Sequence, residues 1–130
     1  DKDYDRFVVD APCSGTGTWR RSPDAKFRLT PEKLKGLNKT QLEILEIAYH
    51  HTKPGGRIVY ITCSILADEN EEIIKAFQSQ HSDLTVVDLR NLWNDKLNNR
   101  YPGQSDYMLR MNPLQTETDG FFICALEKTE

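Results

Sequence analysis

Apolar and polar stretches alternate along the 130 residues in a way that predicts strands and helices in turn. The run RFVVD, which stands before a proline-containing turn, predicts a buried strand over residues 6–10. A threonine followed by a proline, Thr30 and Pro31, predicts the start of a short helix. After NKT, apolar residues recur at steps of three and four, which predicts an amphipathic helix over residues 39–52 that KPGG ends.

The second half of the chain continues this alternation. RIVYIT predicts a buried strand over residues 57–62, and ADENEEIIKAFQSQH predicts a helix whose Ile73, Ile74 and Phe77 face inward. LTVVDL predicts a short strand, residues 91–120 are predicted to be mostly loop, and GFFICALEK predicts an apolar strand that is central or covered on both faces. Together these elements predict an α/β fold with a mostly parallel sheet, and the sequence contains no internal repeat.

Two cysteines directly follow predicted strands. Cys13 comes after the first strand and Cys63 after the second. Because ligands bind at the carboxyl ends of the strands in open α/β sheets, and neighbouring strands lie about 5 Å apart, both thiols are predicted to face one small substrate. Cys124 lies inside the apolar run FFICAL and is interpreted as a buried core residue.

A thiol acts as a nucleophile only as a thiolate, so its surroundings must favour ionisation. At a free pKa of about 8.5, only a few per cent is ionised at neutral pH, a deficit of roughly 2 kcal/mol. The start of the acidic helix is predicted to favour the Cys63 thiolate, with Ser64 or Asp68 capping that helix. The amides of the SGTG turn are predicted to do the same for Cys13. Taken alone, either cysteine also fits a small buried side chain, and it is their pairing at strand ends that favours reactivity.

Composition and charge exclude several classes of protein. With 17 basic and 20 acidic residues and a net charge of −3, the chain lacks the broad positive surface of a general nucleic-acid binder. Basic and aromatic residues gather only in WRRSPDAKFR, which is either a solvated loop or a contact surface for phosphates and bases. No apolar run approaches the roughly 20 residues that span a bilayer, and the amino terminus lacks a secretory layout. We therefore expect an intracellular, cytoplasmic protein without a membrane partner.

The number and spacing of the cysteines bear on redox state and metal binding. There are three, an odd number, without a Cys-x-x-Cys pair. This pattern argues against both a disulfide framework and a structural zinc site, so we predict reduced thiols and no metal.

Three motifs, FVVDAPCSGTGTWRRSPD, GRIVYITCS and TDGFFICALEK, together resemble the Sun (RsmB-like) family of RNA cytosine-5 methyltransferases, with the bacterial 16S ribosomal RNA enzymes nearest. The resemblance covers nearly the whole chain, and the joint occurrence of PCSG and TCS is highly specific. It implies a Rossmann-like methyltransferase sheet with an antiparallel last strand, which GFFICALEK would form. It also implies methyl transfer from S-adenosyl-L-methionine to carbon 5 of cytosine in RNA, above all in ribosomal RNA.

The resemblance implies roles for five residues. Cys63 matches the nucleophile that adds to carbon 6 of cytosine and so enables carbon 5 to attack the methyl group. Cys13 matches the second cysteine, which assists loss of the carbon-5 proton and release of the enzyme. Asp10 matches the aspartate beside both the cofactor and the cytosine ring, a catalytic and cofactor-binding position. Arg20 and Arg21 match arginines that are candidate phosphate contacts.

The chain departs from the family pattern before its first predicted strand. The family's glycine-rich cofactor loop, its ribose-binding acidic residue, a catalytic lysine and an RNA-binding region all precede that strand. We therefore expect residues 1–130 to be the C-terminal half of a catalytic domain. The uncovered edge at RFVVD is then expected to promote self-association.

Two alternatives stay open at this point. The first is a non-catalytic fragment or binding module that keeps the family residues without turnover. The second is a DNA cytosine methyltransferase, which uses the same addition chemistry but takes its nucleophile from a Pro-Cys loop. In that case Cys13, in PCS, would be the nucleophile.

Overall fold

The computed structural model describes residues 3–93, 101–103 and 107–129, which form one five-stranded sheet with two long helices packed on one face. The strands are β1 (Tyr4–Asp10), β2 (Thr52–Thr62), β3 (Leu84–Val86), β4 (Leu109–Met111) and β5 (Phe121–Lys128). The helices are α1 (Pro31–His50), α2 (Glu71–Gln80) and the short α3 (Leu89–Leu92). Short 3-10 turns cover Thr16–Thr18, Pro23–Arg28 and Ala67–Glu69.

The strand directions follow the predicted sheet. β1 pairs with β2 in parallel, whereas β5 pairs antiparallel with β2, β3 and β4. Because β2 occupies one edge of β5, β3 and β4 lie end to end along its other edge. Four strands therefore share one direction and the last strand opposes them, which confirms an α/β sheet with an antiparallel last strand. The central position of β5 is confirmed as well.

One apolar core lies between the sheet and the two long helices. In β2 the buried Ile58 and Tyr60 alternate with half-buried neighbours, because successive strand residues point to opposite faces. The prediction that α2 buries Ile73, Ile74 and Phe77 is confirmed. The buried cluster consists of Val9, Ala11, Leu45, Ala48, Ile58, Tyr60, Ile73, Ile74, Phe77, Leu84, Phe122, Cys124 and Leu126.

Helix α1 joins two segments that the sequence pattern separates. Its predicted start is confirmed, since Thr30 Oγ1 accepts a hydrogen bond from the Lys33 amide at 3.2 Å. The helix continues through Gly36, which lies on its exposed side, and it ends at His50. KPGG was predicted to end the helix and instead belongs to β2, because the chain enters the strand directly after the helix.

Strand β1 is present as predicted, but it is not buried. Only Val9 is buried, and Val8 keeps 60% of its surface exposed. The physical reason is position: β1 is at the edge of the described sheet, and the described helices cover only one of its faces.

The segment predicted to be mostly loop contains part of a short helix and a short strand. Helix α3 and strand β4 are each too short to produce a periodic sequence signal. Strand β4 is three residues long and depends on its pairing with β5. Residues 94–100 and 104–106 of this segment lie outside the described residues.

Two kinds of feature are absent from the described ranges. No helix there has the length and apolar character needed to cross a membrane. No group of three or more histidine, cysteine, aspartate or glutamate side chains there could hold a metal ion.

Candidate active site

The two cysteines at the strand ends meet, as predicted. The Sγ atoms of Cys13 and Cys63 are 3.4 Å apart, although 50 residues separate them along the chain. The Ala11 amide donates to the Ile61 carbonyl at 2.9 Å, which extends the pairing of the two parallel strands to the point where both loops begin. Both cysteines are partly exposed, so a substrate can reach the pair.

Hydrogen bonds join the two cysteine loops to each other and to the turn before β5. The Gly17 amide donates to the Cys63 carbonyl at 2.9 Å, and the Gly120 amide donates to the Gly17 carbonyl at 2.8 Å. Thr16 Oγ1 lies 3.0 Å from Ser64 Oγ and accepts a hydrogen bond from the Ile65 amide at 2.9 Å. The segment that carries Cys63 is therefore hydrogen-bonded to the loop after Cys13, and that loop is hydrogen-bonded in turn to the residue before β5.

The close approach at Gly17 leads to a stability prediction. A Cβ on Gly17 would overlap the backbone of Gly120, so Gly17→Ala forces two of these segments apart. We expect a loss of about 1–3 kcal/mol in the free energy of unfolding, measured by urea denaturation. Gly36→Ala is the matched control, because a Cβ there meets nothing within 4 Å, and we expect it to stabilise the helix by up to about 1 kcal/mol. Equal effects of the two variants would contradict this account.

Burial controls the ionisation of Cys13. Burial is the largest cause that raises the pKa of this thiol to about 12; the Cys63 side chain also raises it, whereas a backbone hydrogen bond with Gly15 lowers it. The SGTG turn lowers the pKa of Cys13 through Gly15, in the predicted direction, but loss of hydration outweighs this contribution and the net pKa is raised. The raised pKa favours the protonated form of the Cys13 thiol at neutral pH.

The protonated state of Cys13 predicts slow alkylation. Raising the pKa from 9.0, the value of the unperturbed thiol, to about 12 makes the thiolate roughly a thousandfold scarcer at pH 8. The greater nucleophilicity of a more basic thiolate offsets part of the resulting loss of rate. We expect Cys13 to react with iodoacetamide about thirty- to fiftyfold more slowly in the folded chain than in the chain unfolded in urea. Mass spectrometry of the cysteine-containing peptides measures both rates. A rate for Cys13 that does not change on unfolding would contradict the assignment.

The third cysteine is a core residue, as interpreted from the sequence. Cys124 is fully buried in β5, and burial raises its pKa to about 12. Cys124 therefore packs in the core and is not available as a nucleophile.

The prediction of the cap of the acidic helix is wrong. Helix α2 begins after Asn70, and neither Ser64 nor Asp68 caps it. Ser64 Oγ instead accepts a hydrogen bond from the Leu66 amide at 3.1 Å inside the loop.

Two buried residues of the site, Glu69 and Asn70, were missed in the sequence interpretation. That interpretation treated the acidic run as charge that complements the helix dipole, but Glu69 is 0% and Asn70 2% exposed. Their spacing carries a signal that could have shown this. Glu69 stands four residues before Ile73, and Asn70 four before Ile74, so both precede the apolar face of the helix.

The charged residues of the predicted site lie at the surface. Asp10 is exposed at the end of β1, and its carboxylate makes no hydrogen bond or ion pair with another described residue. Arg20 is exposed, whereas Arg21 forms an ion pair with Asp119 at 2.6 Å. Of the two predicted phosphate contacts, Arg20 is therefore the one without a carboxylate partner among the described residues. Phe27, in the same basic segment, is 80% exposed.

Similar solved structures define the class of this fold. The chain is similar to PH0851, with a TM-score of 0.81 and 36% identity over 95% of this chain and 26% of that one. It is also similar to a methyltransferase homolog protein from Pyrococcus horikoshii, with a TM-score of 0.73 and 28% identity over 98% of this chain and 40% of that one. The sheet with its reversed last strand is that of an α/β methyltransferase.

The family follows from the sequence. The profile of the family described as 16S rRNA methyltransferase RsmB/F matches residues 1–127, and the chain belongs to this family. It is 39% identical to ribosomal RNA small subunit methyltransferase B of Serratia proteamaculans over 98% of this chain and 27% of the relative. It is 40% identical to a probable ribosomal RNA small subunit methyltransferase B of Bacillus subtilis over 96% of this chain and 28% of the relative. The chain thus spans about a quarter of the length of these relatives.

Proposed function

We propose that this chain supplies the base-side chemistry of an RNA cytosine-5 methyltransferase that acts on ribosomal RNA. The observation that carries the proposal is the contact between the thiols of Cys13 and Cys63, 3.4 Å apart and partly exposed at the carboxyl ends of two parallel strands. Carbons 5 and 6 of a cytosine ring are bonded neighbours, so two thiols in contact can each reach one of them. Membership of a ribosomal RNA methyltransferase family supports RNA as the substrate.

In the proposed reaction Cys63 is the nucleophile. Its thiolate forms a bond to carbon 6, and the electrons of the ring double bond move toward carbon 5, which then accepts a methyl group. S-adenosyl-L-methionine, when bound, supplies that methyl group. Loss of the carbon-5 proton restores the ring double bond and breaks the bond between carbon 6 and sulfur, which frees Cys63.

Cys13 acts in the second half of this sequence. Its pKa is raised first by burial and then by the hydrogen bond and charge of Cys63. Addition of Cys63 to the ring turns that neighbour into an uncharged thioether, which removes the two contributions from Cys63. The pKa of Cys13 falls as a result, although burial, the largest cause of its increase, remains, so adduct formation favours the Cys13 thiolate that accepts the carbon-5 proton.

Exposed polar groups around the thiols are proposed to hold the ligands. Asp10 has, at the end of β1, a carboxylate without a partner among the described residues, and it can accept hydrogen bonds from the exocyclic amine of cytosine or from the cofactor. Arg20 and Arg21 are proposed phosphate contacts, and binding through Arg21 requires that it leave or share Asp119.

The test of this function is the identity of the methylated nucleoside. The full-length protein that contains this chain is incubated with methyl-labelled S-adenosyl-L-methionine and ribosomal RNA, and the digested RNA is analysed by mass spectrometry. The proposal predicts label in 5-methylcytidine. Label in another nucleoside, or label in DNA but not in RNA, would overturn it.

The alternative is that the isolated 130-residue chain is non-catalytic, consistent with its span of about a quarter of its relatives. Residues 1–130 are then a partial catalytic domain that holds only part of the cofactor site, Asp10 included. Calorimetry of the isolated chain with S-adenosyl-L-methionine separates the two cases. Micromolar binding indicates a self-sufficient chain, and absence of binding indicates that the cofactor site needs more of the protein.

A further inference from the structure

Two consecutive polar residues are buried beneath the thiols, at the turn that leads into α2. Glu69 is 0% exposed and Asn70 2% exposed. A buried carboxylate without a basic partner is unfavourable unless hydrogen-bond donors replace its hydration, and no salt bridge to Glu69 occurs among the described residues. The hydrogen-bond partners of these two side chains therefore show which parts of the site Glu69 and Asn70 hold in place.

Glu69 holds both neighbours of Cys13. Its Oε1 accepts a hydrogen bond from the Ser14 amide at 2.8 Å, and its Oε2 accepts one from Ser14 Oγ at 2.5 Å. Gln41 Nε2 donates to Oε1 at 3.2 Å and also to the Pro12 carbonyl at 2.9 Å. The residue before Cys13 and the residue after it are thus tied to one carboxylate, directly or through a single amide.

Asn70 holds both neighbours of Cys63 in the same way. Thr62 Oγ1 donates to Asn70 Oδ1 at 2.6 Å, and Asn70 Nδ2 donates to the Ser64 carbonyl at 2.8 Å. Since an amide side chain offers one acceptor and one donor group here, Asn70 matches a hydroxyl on one side and a carbonyl on the other. An aspartate would meet the Ser64 carbonyl with like partial charge.

Hydrogen bonds from β2 and α2 fix the backbone of both Glu69 and Asn70. Tyr60 is fully buried, and its hydroxyl donates to the Glu69 carbonyl at 2.6 Å. The Ile74 amide donates to the Asn70 carbonyl at 3.1 Å, at the start of α2. Glu69 and Asn70 are adjacent in the chain. Because one holds the loop of Cys13 and the other the loop of Cys63, covalent geometry constrains the distance between the two loops.

We propose that Glu69 and Asn70 are paired positioning residues, with Glu69 orienting Cys13 and Asn70 orienting Cys63. The inference deepens the proposed methyltransferase function and rests on it for the catalytic roles of the two thiols. It assigns separable effects to adjacent residues. Loss of the Glu69 contacts impairs release of the adduct, and loss of the Asn70 contacts impairs its formation.

The test measures the two half-reactions in the full-length protein. Glu69→Ala is expected to accumulate a covalent RNA adduct, with release slowed about ten- to a hundredfold and formation nearly unchanged. Glu69→Gln is expected to restore release, because its oxygen still accepts from Ser14 and Gln41 while its amide donates to Ser14 Oγ. Asn70→Ala is expected to slow adduct formation by a similar factor and to accumulate no adduct.

Controls separate failure of this inference from failure of the proposed function. Glu72→Ala removes an exposed carboxylate from the first turn of α2, close in sequence to Glu69 and Asn70, and is expected to behave as the unmodified protein. Cys13→Ala tests the underlying chemistry in the same assay. Adduct with Cys13→Ala but none with Glu69→Ala overturns the positioning role of Glu69 alone. If Cys13→Ala gives no adduct and Cys63→Ala still methylates, the proposed function is wrong.

A substrate-free readout tests the positioning itself. The iodoacetamide rates of both thiols are measured by peptide mass spectrometry in each variant. Glu69→Ala is expected to change the rate of Cys13 several-fold more than that of Cys63, and Asn70→Ala the reverse. If Glu69→Ala does not fold, Ser14→Ala deletes one of the same hydrogen bonds from the other end and is expected to shift Cys13 selectively. Equal changes at both thiols in every folded variant would make Glu69 and Asn70 general scaffold residues and end the proposal.

Discussion

Replacement of Cys63 by alanine is expected to abolish methyl transfer by the full-length protein. Without the sulfur no bond forms to carbon 6, so carbon 5 never gains the electron density needed to accept the methyl group. Losing a covalent nucleophile lowers the turnover rate by at least about a thousandfold. Incorporation of labelled methyl groups into RNA measures the loss, and circular dichroism confirms that the variant is folded.

Cys124→Ala is the matched control for this prediction, because it removes a buried thiol that is not part of the Cys13–Cys63 pair. Cys124 is fully buried in β5, so its loss leaves a small cavity and reduces stability by about 1–2 kcal/mol. Methylation should persist at close to the unmodified rate. A Cys63→Ala protein that keeps more than about a tenth of its activity would contradict the role of Cys63.

Replacement of Cys13 by alanine is expected to have the opposite signature and trap the enzyme on RNA. Cys63 can still add to carbon 6, but no thiol assists loss of the carbon-5 proton, so the bond between sulfur and carbon 6 does not break. Methylation should stop after about one turnover per enzyme molecule. A protein–RNA complex that survives denaturing electrophoresis measures the trapped adduct.

The double variant Cys13→Ala with Cys63→Ala is the control for trapping. It retains the RNA surface but has no nucleophile, so it should form no denaturation-resistant complex. Repeated turnover by Cys13→Ala, without accumulation of a complex, would show that Cys13 has no part in release.

The meeting of the two thiols was predictable because it depends on features that a sequence carries directly. Strand runs before Cys13 and Cys63 locate each thiol at a carboxyl end, and the helix between them requires a crossover that brings parallel strands together. The prediction of an antiparallel last strand came from the family resemblance. The prediction of its central position came from its continuous apolar run.

The features that sequence reasoning missed depend on neighbours distant along the chain. The spacing of Glu69 from the apolar face of α2 hints at its burial, but the donors that this burial requires come from Ser14 and Gln41, which lie on distant segments. The raised pKa of Cys13 is mainly an effect of burial, which outweighs the contribution of the turn amides and which the local sequence does not show. The exposure of Val8 depends on what covers the edge of the sheet, which its own apolar run cannot specify. Self-association through that edge stays a prediction, and sedimentation of the isolated chain as a single monomer would count against it.

The central claim is that Cys63, and not Cys13, bonds to the base, and peptide mapping of a trapped adduct tests it most directly. RNA that carries 5-fluorocytidine holds the enzyme on the base, because fluorine at carbon 5 cannot leave as a proton does. After digestion of protein and RNA, mass spectrometry should find the modified nucleotide on the peptide containing ITCS, at Cys63. A nucleotide found instead on the peptide containing APCS, at Cys13, would reverse the two roles and favour the chemistry of a Pro-Cys loop.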